Sequence, residues 1–287
     1  MTAHAASSGT ESFAKIRVRN HRAEQIPCSI LALARAQKDN SGMAQSFSVT
    51  DIGRKRTMNQ DYLFASDAPV GLLPNLYIVA DGMGGHRAGD YASRYAVTQM
   101  VEQVKQQKSG NLRDILDVSL HNVNAGLHRT SRMVEAYRGC GTTMVLCVVE
   151  GSVLHAANVG DSRLYLVGKD ITQITVDHSL VEEMVLSGTL DEKRARFHPE
   201  KNVITRAVGV EDYIDVDFFT SDLHRGDRIL LCTDGLTNML ENEEIRKILE
   251  SDTPLSGKPQ ELVDEANKRG GLDNISAMII DPFADRA

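Results

Sequence analysis

Hydrophobic residues recur along the chain with two different periods. Ala92, Ala96 and Met100 repeat every four residues, which predicts a helix with one buried face. A second stripe begins after Gly110-Asn111 and contains Leu112, Leu116, Val123 and Leu127. These two stripes predict a pair of long helices in the first half of the chain.

After about residue 140 the pattern changes to short apolar runs. Turn residues such as Glu150-Gly151 separate the runs, as in antiparallel hairpins. The predicted strands lie at about 47–52, 76–80, 143–149, 153–159, 163–167, 203–207, 214–219, 229–232 and 275–280, and shorter helices at 180–186, 243–249 and 259–268. Many antiparallel strands with helices grouped between them predict an α+β fold whose core lies between two sheets.

Composition narrows the class of protein. The chain has 287 residues and a formal net charge of −7, which argues against a nucleic-acid binder. We expect no membrane anchor and no secretion signal, because no apolar run approaches the roughly 20 residues that cross a bilayer. The four cysteines, Cys28, Cys140, Cys147 and Cys232, form no C-x-x-C pair. Reduced thiols in the cytoplasm are the simplest interpretation.

Acidic residues follow or flank several of the apolar runs. Asp81 begins the sequence DGMGGH, and Asp234 lies in Thr233-Asp234-Gly235. An apolar strand that ends in Asp-Gly places a carboxylate at the rim of a sheet, with a sharp turn after it. Asp61, which ends RTMNQD, and Asp273, in GLDNIS, fit the same pattern. If these rims converge, they form an oxygen-ligand site for Mg²⁺ or Mn²⁺.

In this order the motifs resemble the bacterial form of the PPM/PP2C family of metal-dependent protein serine/threonine phosphatases. The resemblance runs from about residue 47 to 280. Besides the motifs of Asp61 and Asp81 it includes Cys140-Gly141-Thr142-Thr143, Val159-Gly160-Asp161-Ser162-Arg163, Thr205-Arg206-Ala207-Val208-Gly209, Thr233-Asp234-Gly235 and Asp273-Asn274.

The resemblance implies a four-layer αββα sandwich with two central, mainly antiparallel sheets and a metal site at one end. It also implies a small flap at about 178–202 that overhangs the site. We therefore divide the chain into an N-terminal extension, 1–45, interpreted as flexible, and a phosphatase domain, 46–283. The histidines of the flap, His178 and His198, are interpreted as polar surface residues.

The family also implies two bound Mn²⁺ or Mg²⁺ ions and a role for each acidic residue. Asp81 would bridge the two ions, and the Gly82 carbonyl would bind the second. Asp234 and Asp273 would hold the first ion. Asp61 would orient a metal-bound water or coordinate through it.

Four further residues complete the implied site. Arg56 would clamp two phosphate oxygens with its guanidinium fork, so that Arg56, Asp61 and Asp81 form the catalytic set. Asp161 would help to hold a third, looser ion, although its motif also fits a turn in which the carboxylate accepts backbone hydrogen bonds. Gln60 stands where many relatives have a metal-binding Glu, and a solvent-facing role fits it equally well. Asn274 is interpreted as a support for its neighbour Asp273.

Together these features predict an enzyme that hydrolyses phosphoserine and phosphothreonine in cytoplasmic proteins. The resemblance implies a single in-line step by a hydroxide that bridges both metals, with no covalent enzyme intermediate. It also implies phosphoprotein substrates and an opposing Hanks-type serine/threonine kinase. We expect a monomer that binds neither nucleic acid nor membrane. Met83 occupies the position of a proposed general-acid histidine in some relatives, so no general acid is assigned.

Other classes of protein fit less well. A cysteine-based phosphatase needs Cys and Arg six positions apart, and none of the four cysteines has such an Arg. Asp215-Val216-Asp217-Phe218-Phe219 resembles an aspartyl-phosphate motif, but its fifth residue is Phe and its alternation is typical of an exposed strand face. The remaining alternatives are a non-catalytic phosphoprotein-binding module and a hydrolase of a small phosphorylated metabolite.

Overall fold

The computed structural model describes residues 44–85 and 87–284. The predicted N-terminal extension before residue 44, with Cys28, lies outside the described residues, and so does His86 of the first Asp-Gly motif. The proposed bounds of the domain, 46–283, and of the flap, 178–202, remain predictions.

Two sheets and seven helices form the described part of the chain. The strands are β1 (Gln45–Asp51), β2 (Asp61–Ser66), β3 (Leu76–Met83), β4 (Gly141–Thr142), β5 (Met144–Glu150), β6 (Val153–Val159), β7 (Arg163–Val167), β8 (Ile171–Gln173), β9 (Asp217–Asp222), β10 (Arg228–Cys232) and β11 (Ile275–Asp281). The helices are α1 (Ala88–Gln106), α2 (Leu112–Met133), α3 (Leu180–Leu186), α4 (Glu192–Ala195), α5 (Asp234–Thr237), α6 (Asn242–Glu250) and α7 (Lys258–Lys268).

All pairings between these strands are antiparallel. The first sheet has the order β1-β11-β10-β7-β8, and the second has the order β2-β3-β5-β6-β9 with β4 beside β3. This confirms the predicted α+β class with two antiparallel sheets.

The alternation of side chains along each strand produces the layers. On β3, Tyr77 and Val79 pack into the core between the two sheets, whereas Ile78 and Ala80 pack against α1 and α2. On β10, Leu231 faces the core between the sheets and Leu230 packs with α6 and α7. Both faces of both sheets are therefore buried, and the four layers are helix, sheet, sheet and helix, as predicted.

The two long helices form as their stripes predict. Ala92, Ala96 and Met100 of α1 are fully buried. Asn111 caps α2, since its Oδ1 accepts a hydrogen bond from the backbone N–H of Asp114 (2.9 Å). No helix in the described part of the chain is long and apolar enough to cross a membrane.

Three strand predictions need correction. Residues 203–207 form no strand. Within this segment Ile204 makes one isolated bridge with Ser179, and just after it Val208 makes another with Thr142. The strand predicted at 214–219 is β9, which begins at Asp217 because its pairing with β6 starts there. β3 continues past Asp81 to Met83, so the chain turns later than the Asp-Gly pattern predicts.

Candidate active site

Five carboxylates meet at one end of the two sheets. Asp61 begins β2 and Asp81 lies near the end of β3, where the two are direct cross-strand partners. Asp161 follows β6, Asp234 follows β10, and Asp273 precedes β11. In antiparallel sheets one strand begins beside the point where its neighbour ends, so these five positions share one rim. The structure thus brings together all the acidic residues predicted for the site.

Asp61 is buried with one oxygen held and the other unpartnered. Its Oδ2 accepts hydrogen bonds from Ser276 Oγ (2.6 Å) and Thr233 Oγ1 (2.9 Å). Its Oδ1 is buried and has no hydrogen-bond partner among the described residues. Burial, reinforced by the charges of Asp234 and Asp273, raises the pKa of Asp61 to about 7, although the two hydroxyls favour the charged form.

Asp234 repeats this arrangement at the start of α5. Its Oδ2 accepts a hydrogen bond from Asn238 Nδ2 (2.9 Å), and its Oδ1 is buried without a partner in the described structure. Burial and the charge of Asp273 raise the pKa of Asp234 to about 6. Lys201, from the flap, donates to the Oδ1 of the same Asn238 (2.8 Å).

The backbone around Asp81 is fixed on both sides. Asp81 N–H donates to Thr143 Oγ1 (2.9 Å), and the Asp81 carbonyl accepts from Thr142 Oγ1 and from Thr143 N–H (both 2.8 Å). These three hydrogen bonds fix the backbone of Asp81, and the fixed backbone in turn limits the directions in which its carboxylate can point. Burial, then the charges of Asp61 and Asp234, raises the pKa of Asp81 well above its usual value.

Gly82 lies where β3 passes the start of α1. A Cβ on Gly82 would stand only 2.0 Å from the carbonyl oxygen of Gly89, so no larger residue fits. A Cβ on Gly89 would in turn lie 2.6 Å from the Gly82 carbonyl oxygen and 2.3 Å from the side-chain nitrogen of Gln60. The Gln60 amide and the Gly82 carbonyl therefore lie beside each other.

Asp161 lies at the edge of a buried ion-pair network. Burial, followed by the charges of Asp234 and Asp177, raises the pKa of the Asp161 carboxyl, and Arg163 opposes this shift. Arg163 Nε and Nη2 bind the Asp177 carboxylate at 2.7–3.0 Å. No role was predicted for Asp177, because a carboxylate in a polar loop carries no motif of its own.

Arg56 and Asn274 link the first loop to the rim. Arg56 Nη2 forms a 2.7 Å ion pair with Asp273 Oδ2, and the Arg56 side chain is about half exposed. Asn274 Nδ2 donates to the carbonyls of Ile52 (3.0 Å) and Met58 (2.9 Å), and Asn274 Oδ1 accepts from Gln60 N–H (2.8 Å). Asn274 therefore ties down the loop that carries Arg56.

The donors at this rim suit hard divalent cations. They are carboxylate and carbonyl oxygens, the ligands that Mg²⁺ and Mn²⁺ prefer. A buried polar atom without a partner costs about 1–3 kcal/mol, and more when it is charged; Asp61 Oδ1 and Asp234 Oδ1 are such atoms, and a cation would satisfy both. Within residues 44–85 and 87–284, no group of three or more acidic, histidine or cysteine side chains is close enough together to hold a metal ion by itself.

A cleft leads away from the rim under the flap. It has a volume of about 820 Å³ and runs from Asp161 and Asp234 to flap residues that include Arg196, Phe197 and Lys201. Phe197 is 80% exposed. A molecule larger than a phosphate group, placed at the rim, would therefore lie against the flap.

One prediction about a polar residue was wrong. His178 is buried, because its Nδ1 accepts the Gly160 backbone N–H (3.0 Å) and its Nε2 lies 3.2 Å from Asp217 Oδ2. Asp217, whose strand face was predicted to be exposed, is partly exposed and also pairs with His178 and with Arg206. His198 lies at the flap surface, and its Nδ1 accepts the N–H of Glu200 (3.2 Å).

The described cysteines are unsuited to nucleophilic attack. Cys140, Cys147 and Cys232 are fully buried and free. Burial raises the pKa of all three thiols, that of Cys232 to about 12, so they stay protonated at neutral pH.

Residues 52–265 match the family described as Protein phosphatase 2C. The chain belongs to the protein phosphatase 2C family. Members are metal-dependent hydrolases, so this phosphatase is an enzyme of that class. The resemblance stated from the motifs is confirmed.

Relatives agree with this assignment over most of the chain. The phosphatase is 42% identical over 237 residues to "Protein phosphatase PhpP" of Streptococcus pneumoniae, covering 81% of this chain and 95% of the relative. The structure of the S. agalactiae serine/threonine phosphatase superposes with a TM-score of 0.77 at 37% identity, over 83% of this chain and 98% of that one.

A further structure bears on the metal. The catalytic domain of serine/threonine protein phosphatase PstP, in complex with 2 manganese ions, superposes with a TM-score of 0.73 at 28% identity. The match covers 83% of this chain and 97% of that one.

Proposed function

We propose that this phosphatase hydrolyses phosphoserine and phosphothreonine esters in proteins. The main support is the rim of five carboxylates, in which Asp61 and Asp234 each keep a buried oxygen without a partner among the described residues, and Asp273 pairs with the Arg56 guanidinium. The neighbouring cleft, with a volume of about 820 Å³, offers room for parts of a substrate beyond its phosphate group. Relatives named as serine/threonine phosphatases support the same substrate class.

Two Mn²⁺ or Mg²⁺ ions would supply positive charge against the phosphate oxygens and lower the pKa of a water molecule. We propose that Asp81, Asp234 and Asp273, with the Gly82 carbonyl, hold these ions, and that Asp161 helps to hold a third. Asp61 would orient the attacking water through its unpartnered oxygen. Its other oxygen stays fixed by two hydroxyl groups.

Arg56 would bind the phosphate group itself. A guanidinium carries five N–H donors, so it can hold phosphate oxygens while it contacts Asp273. Water adds to phosphorus in line as the ester P–O bond breaks, and a proton from that water ends on the leaving serine or threonine oxygen. The products are the free hydroxyl and inorganic phosphate. No covalent enzyme intermediate is needed, which agrees with the buried, protonated thiols.

We also propose an opposing kinase, a cellular compartment and an oligomeric state for this phosphatase. The phosphoprotein substrates would be products of a serine/threonine kinase of the Hanks type, whose signal this enzyme would end. We propose that the phosphatase acts in the cytoplasm as a monomer. Free rather than paired Cys140, Cys147 and Cys232 support a reducing compartment.

Replacing a predicted ligand tests the proposal directly. Asp81→Asn and Asp234→Asn should each abolish Mn²⁺-dependent hydrolysis of a phosphothreonine peptide and of p-nitrophenyl phosphate, with the circular dichroism spectrum unchanged. The matched control is Asp170→Asn, an exposed carboxylate in the turn between β7 and β8 whose side chain has no hydrogen-bond partner among the described residues.

Three results would count against the proposal. Near-normal turnover of either variant at saturating Mn²⁺ would overturn the ligand assignment. Binding of the phosphopeptide by the wild type without hydrolysis would favour a non-catalytic module. Hydrolysis of small phosphate esters alone would favour a metabolite phosphatase.

A further inference from the structure

The flap leaves and rejoins the sheets at one point. Thr205 N–H donates to the His178 carbonyl, and Leu180 N–H donates to the Val203 carbonyl (both 2.9 Å). The segment between them, with α3 and α4, lines the cleft beside Asp161 and Asp234. These two hydrogen bonds close the base of the flap.

One carboxylate holds a side chain from each side of this base. Asp217 is the first residue of β9, in the second sheet. Its Oδ2 lies 3.2 Å from His178 Nε2, and its Oδ1 accepts a hydrogen bond from Arg206 Nη1 (3.1 Å). His178 begins the flap and Arg206 lies just beyond its end. The charged form of Asp217 is favoured here, since the His178 hydrogen bond and the Arg206 charge lower the pKa of Asp217.

The hydrogen bonds of His178 fix the direction of this contact. His178 Nδ1 accepts the Gly160 N–H (3.0 Å), so the ring proton must be on Nε2, which donates to Asp217. His178 N–H in turn donates to the Gly160 carbonyl (3.0 Å). A carboxylate that accepts from Nε2–H makes Nδ1 a better acceptor, so Asp217 also strengthens the bond to Gly160, the residue before Asp161.

Other hydrogen bonds also hold the turn at Gly160, whereas few backbone contacts hold the flap base. The Gly160 carbonyl also accepts from Asn158 Nδ2 (3.1 Å), which does not depend on Asp217. The flap base, by contrast, has no continuous strand pairing in the described structure, and residues 203–207 contribute one isolated bridge, between Ile204 and Ser179. Loss of the Asp217 carboxylate should therefore loosen the flap more than the rim.

We propose that Asp217 is a positioning residue that fixes both ends of the flap over the cleft, and so sets how tightly a phosphoprotein segment is bound there. This inference rests on the proposed function, because it takes the occupant of the cleft to be a phosphorylated peptide. A peptide whose phosphate lies at the rim would extend along the flap past Phe197 and Arg196, whereas p-nitrophenyl phosphate adds only one ring to the phosphate group and would contact less of the flap.

The test compares Asp217→Ala and Arg206→Ala with Asp215→Ala. Asp215 is the matched control, since it is exposed two residues away and its side chain has no partner within the described ranges. Hydrogen exchange followed by mass spectrometry reports on peptides that cover 178–206. Steady-state kinetics use a phosphothreonine peptide and p-nitrophenyl phosphate.

Asp217→Ala and Arg206→Ala should both speed exchange across 178–206. Each should raise KM for the phosphopeptide roughly fivefold to tenfold, the size expected when a partly exposed, charge-assisted contact is lost. Turnover of p-nitrophenyl phosphate should change far less, Arg206→Lys should recover part of the loss, and Asp215→Ala should match the wild type.

Unchanged exchange across 178–206 in Asp217→Ala would overturn the proposal, and so would an equal loss of activity on both substrates. If Asp217→Ala does not fold, Arg206→Ala decides by the same criteria, since Arg206 is partly exposed and outside the core. Failure of the wild type to hydrolyse any phosphopeptide would instead contradict the proposed function. The exchange measurement would still show whether Asp217 fixes the flap.

Discussion

At Asp61 and at Asp234 the two oxygens of one carboxylate have different surroundings. Thr233 and Ser276 hold one oxygen of Asp61, and Asn238 holds one oxygen of Asp234. The second oxygen of each is buried without a partner among the described residues. The polar neighbours thus orient each carboxylate so that its unpartnered oxygen is available to a cation.

Arg56→Ala should reduce kcat/KM for a phosphopeptide about tenfold or more, because a hydrogen bond to a charged group contributes about 1.5–3 kcal/mol. Mn²⁺ binding, measured by isothermal titration calorimetry, should be largely retained, since Arg56 is assigned to substrate. Arg56→Lys keeps the charge without the planar fork and should fall between the two. Release of Mn²⁺ together with normal kinetics at saturating Mn²⁺ would show that Arg56 acts through its ion pair with Asp273 instead.

Gln60→Glu should lower the Mn²⁺ concentration that gives half-maximal activity. The Gln60 amide lies beside the Gly82 carbonyl, so a carboxylate there would add a charged oxygen ligand to the same place. Calorimetric titration with Mn²⁺ checks the change without relying on turnover, and Gln60→Met provides a neutral comparison. Weaker or unaltered Mn²⁺ binding in Gln60→Glu would place this side chain away from any ion.

Among the helices, α6 is stabilised by a glutamate in its first turn. Glu244 Oε2 accepts the backbone N–H of Glu241 (2.9 Å) and pairs with Arg269 from the segment after α7 (2.6 Å). The Arg269 hydrogen bond, then that of Glu241, lowers the pKa of Glu244 from 4.5 to about 2. Glu244 therefore caps α6 and fastens it to α7.

Glu244→Gln should lower the melting temperature at pH 7 by roughly 1–4 °C, the size expected of a partly exposed ion pair and cap. Because folding depresses this pKa, its contribution is complete above pH 4.5 and is lost as the pH falls toward about 2. The difference from the wild type in urea unfolding should therefore shrink over that range. Glu211→Gln, at an exposed residue, is the control, and a difference that persists at pH 2 would refute the charge-based account.

The sequence pattern predicted the bounds of strands and helices best where one kind of interaction determines them. The bounds of β6, β7 and α3 follow from apolar runs between clear turn residues, and they match. β2 was not predicted, although it contains the short apolar run Tyr62–Ala65, because this run follows the polar motif that ends at Asp61 and its side chains are mostly half-buried. Residues 203–207 have a strand-like composition but form only one isolated bridge, between Ile204 and Ser179, which closes the flap base and depends on tertiary contacts.

For the site, the motifs predicted which carboxylates converge but not what holds them. Thr233 and Ser276 are small polar residues that reach Asp61 only when distant segments meet, and Asn238 reaches Asp234 only once α5 has formed. His178 was misjudged for the same reason, since its partners Gly160 and Asp217 are remote in sequence. Local polarity predicted an exposed residue, whereas two long-range hydrogen bonds allow it to be buried.

For the whole molecule, activity should vanish with EDTA, return with Mn²⁺ or Mg²⁺, and survive iodoacetamide treatment of the folded protein. The predicted ligands are oxygens, and Cys140, Cys147 and Cys232 are buried with raised thiol pKa values. Mass spectrometry after the treatment should find these three thiols unmodified until the protein is unfolded. Activity that persists in EDTA and is lost to iodoacetamide would reopen the cysteine-based class.

The pairing of β1 with β11 affects how the enzyme folds while it is being synthesised. Asp51 is opposite Ile275 and Gln45 is opposite Asp281, so the first strand of the first sheet finds its partner in the last. At ordinary rates of translation β1 must wait on the order of tens of seconds for β11 to leave the ribosome. Asp273 emerges just ahead of β11. A nascent chain can therefore fold its second sheet early, but if Asp273 holds a metal ion as proposed, phosphate removal must wait until synthesis is almost complete.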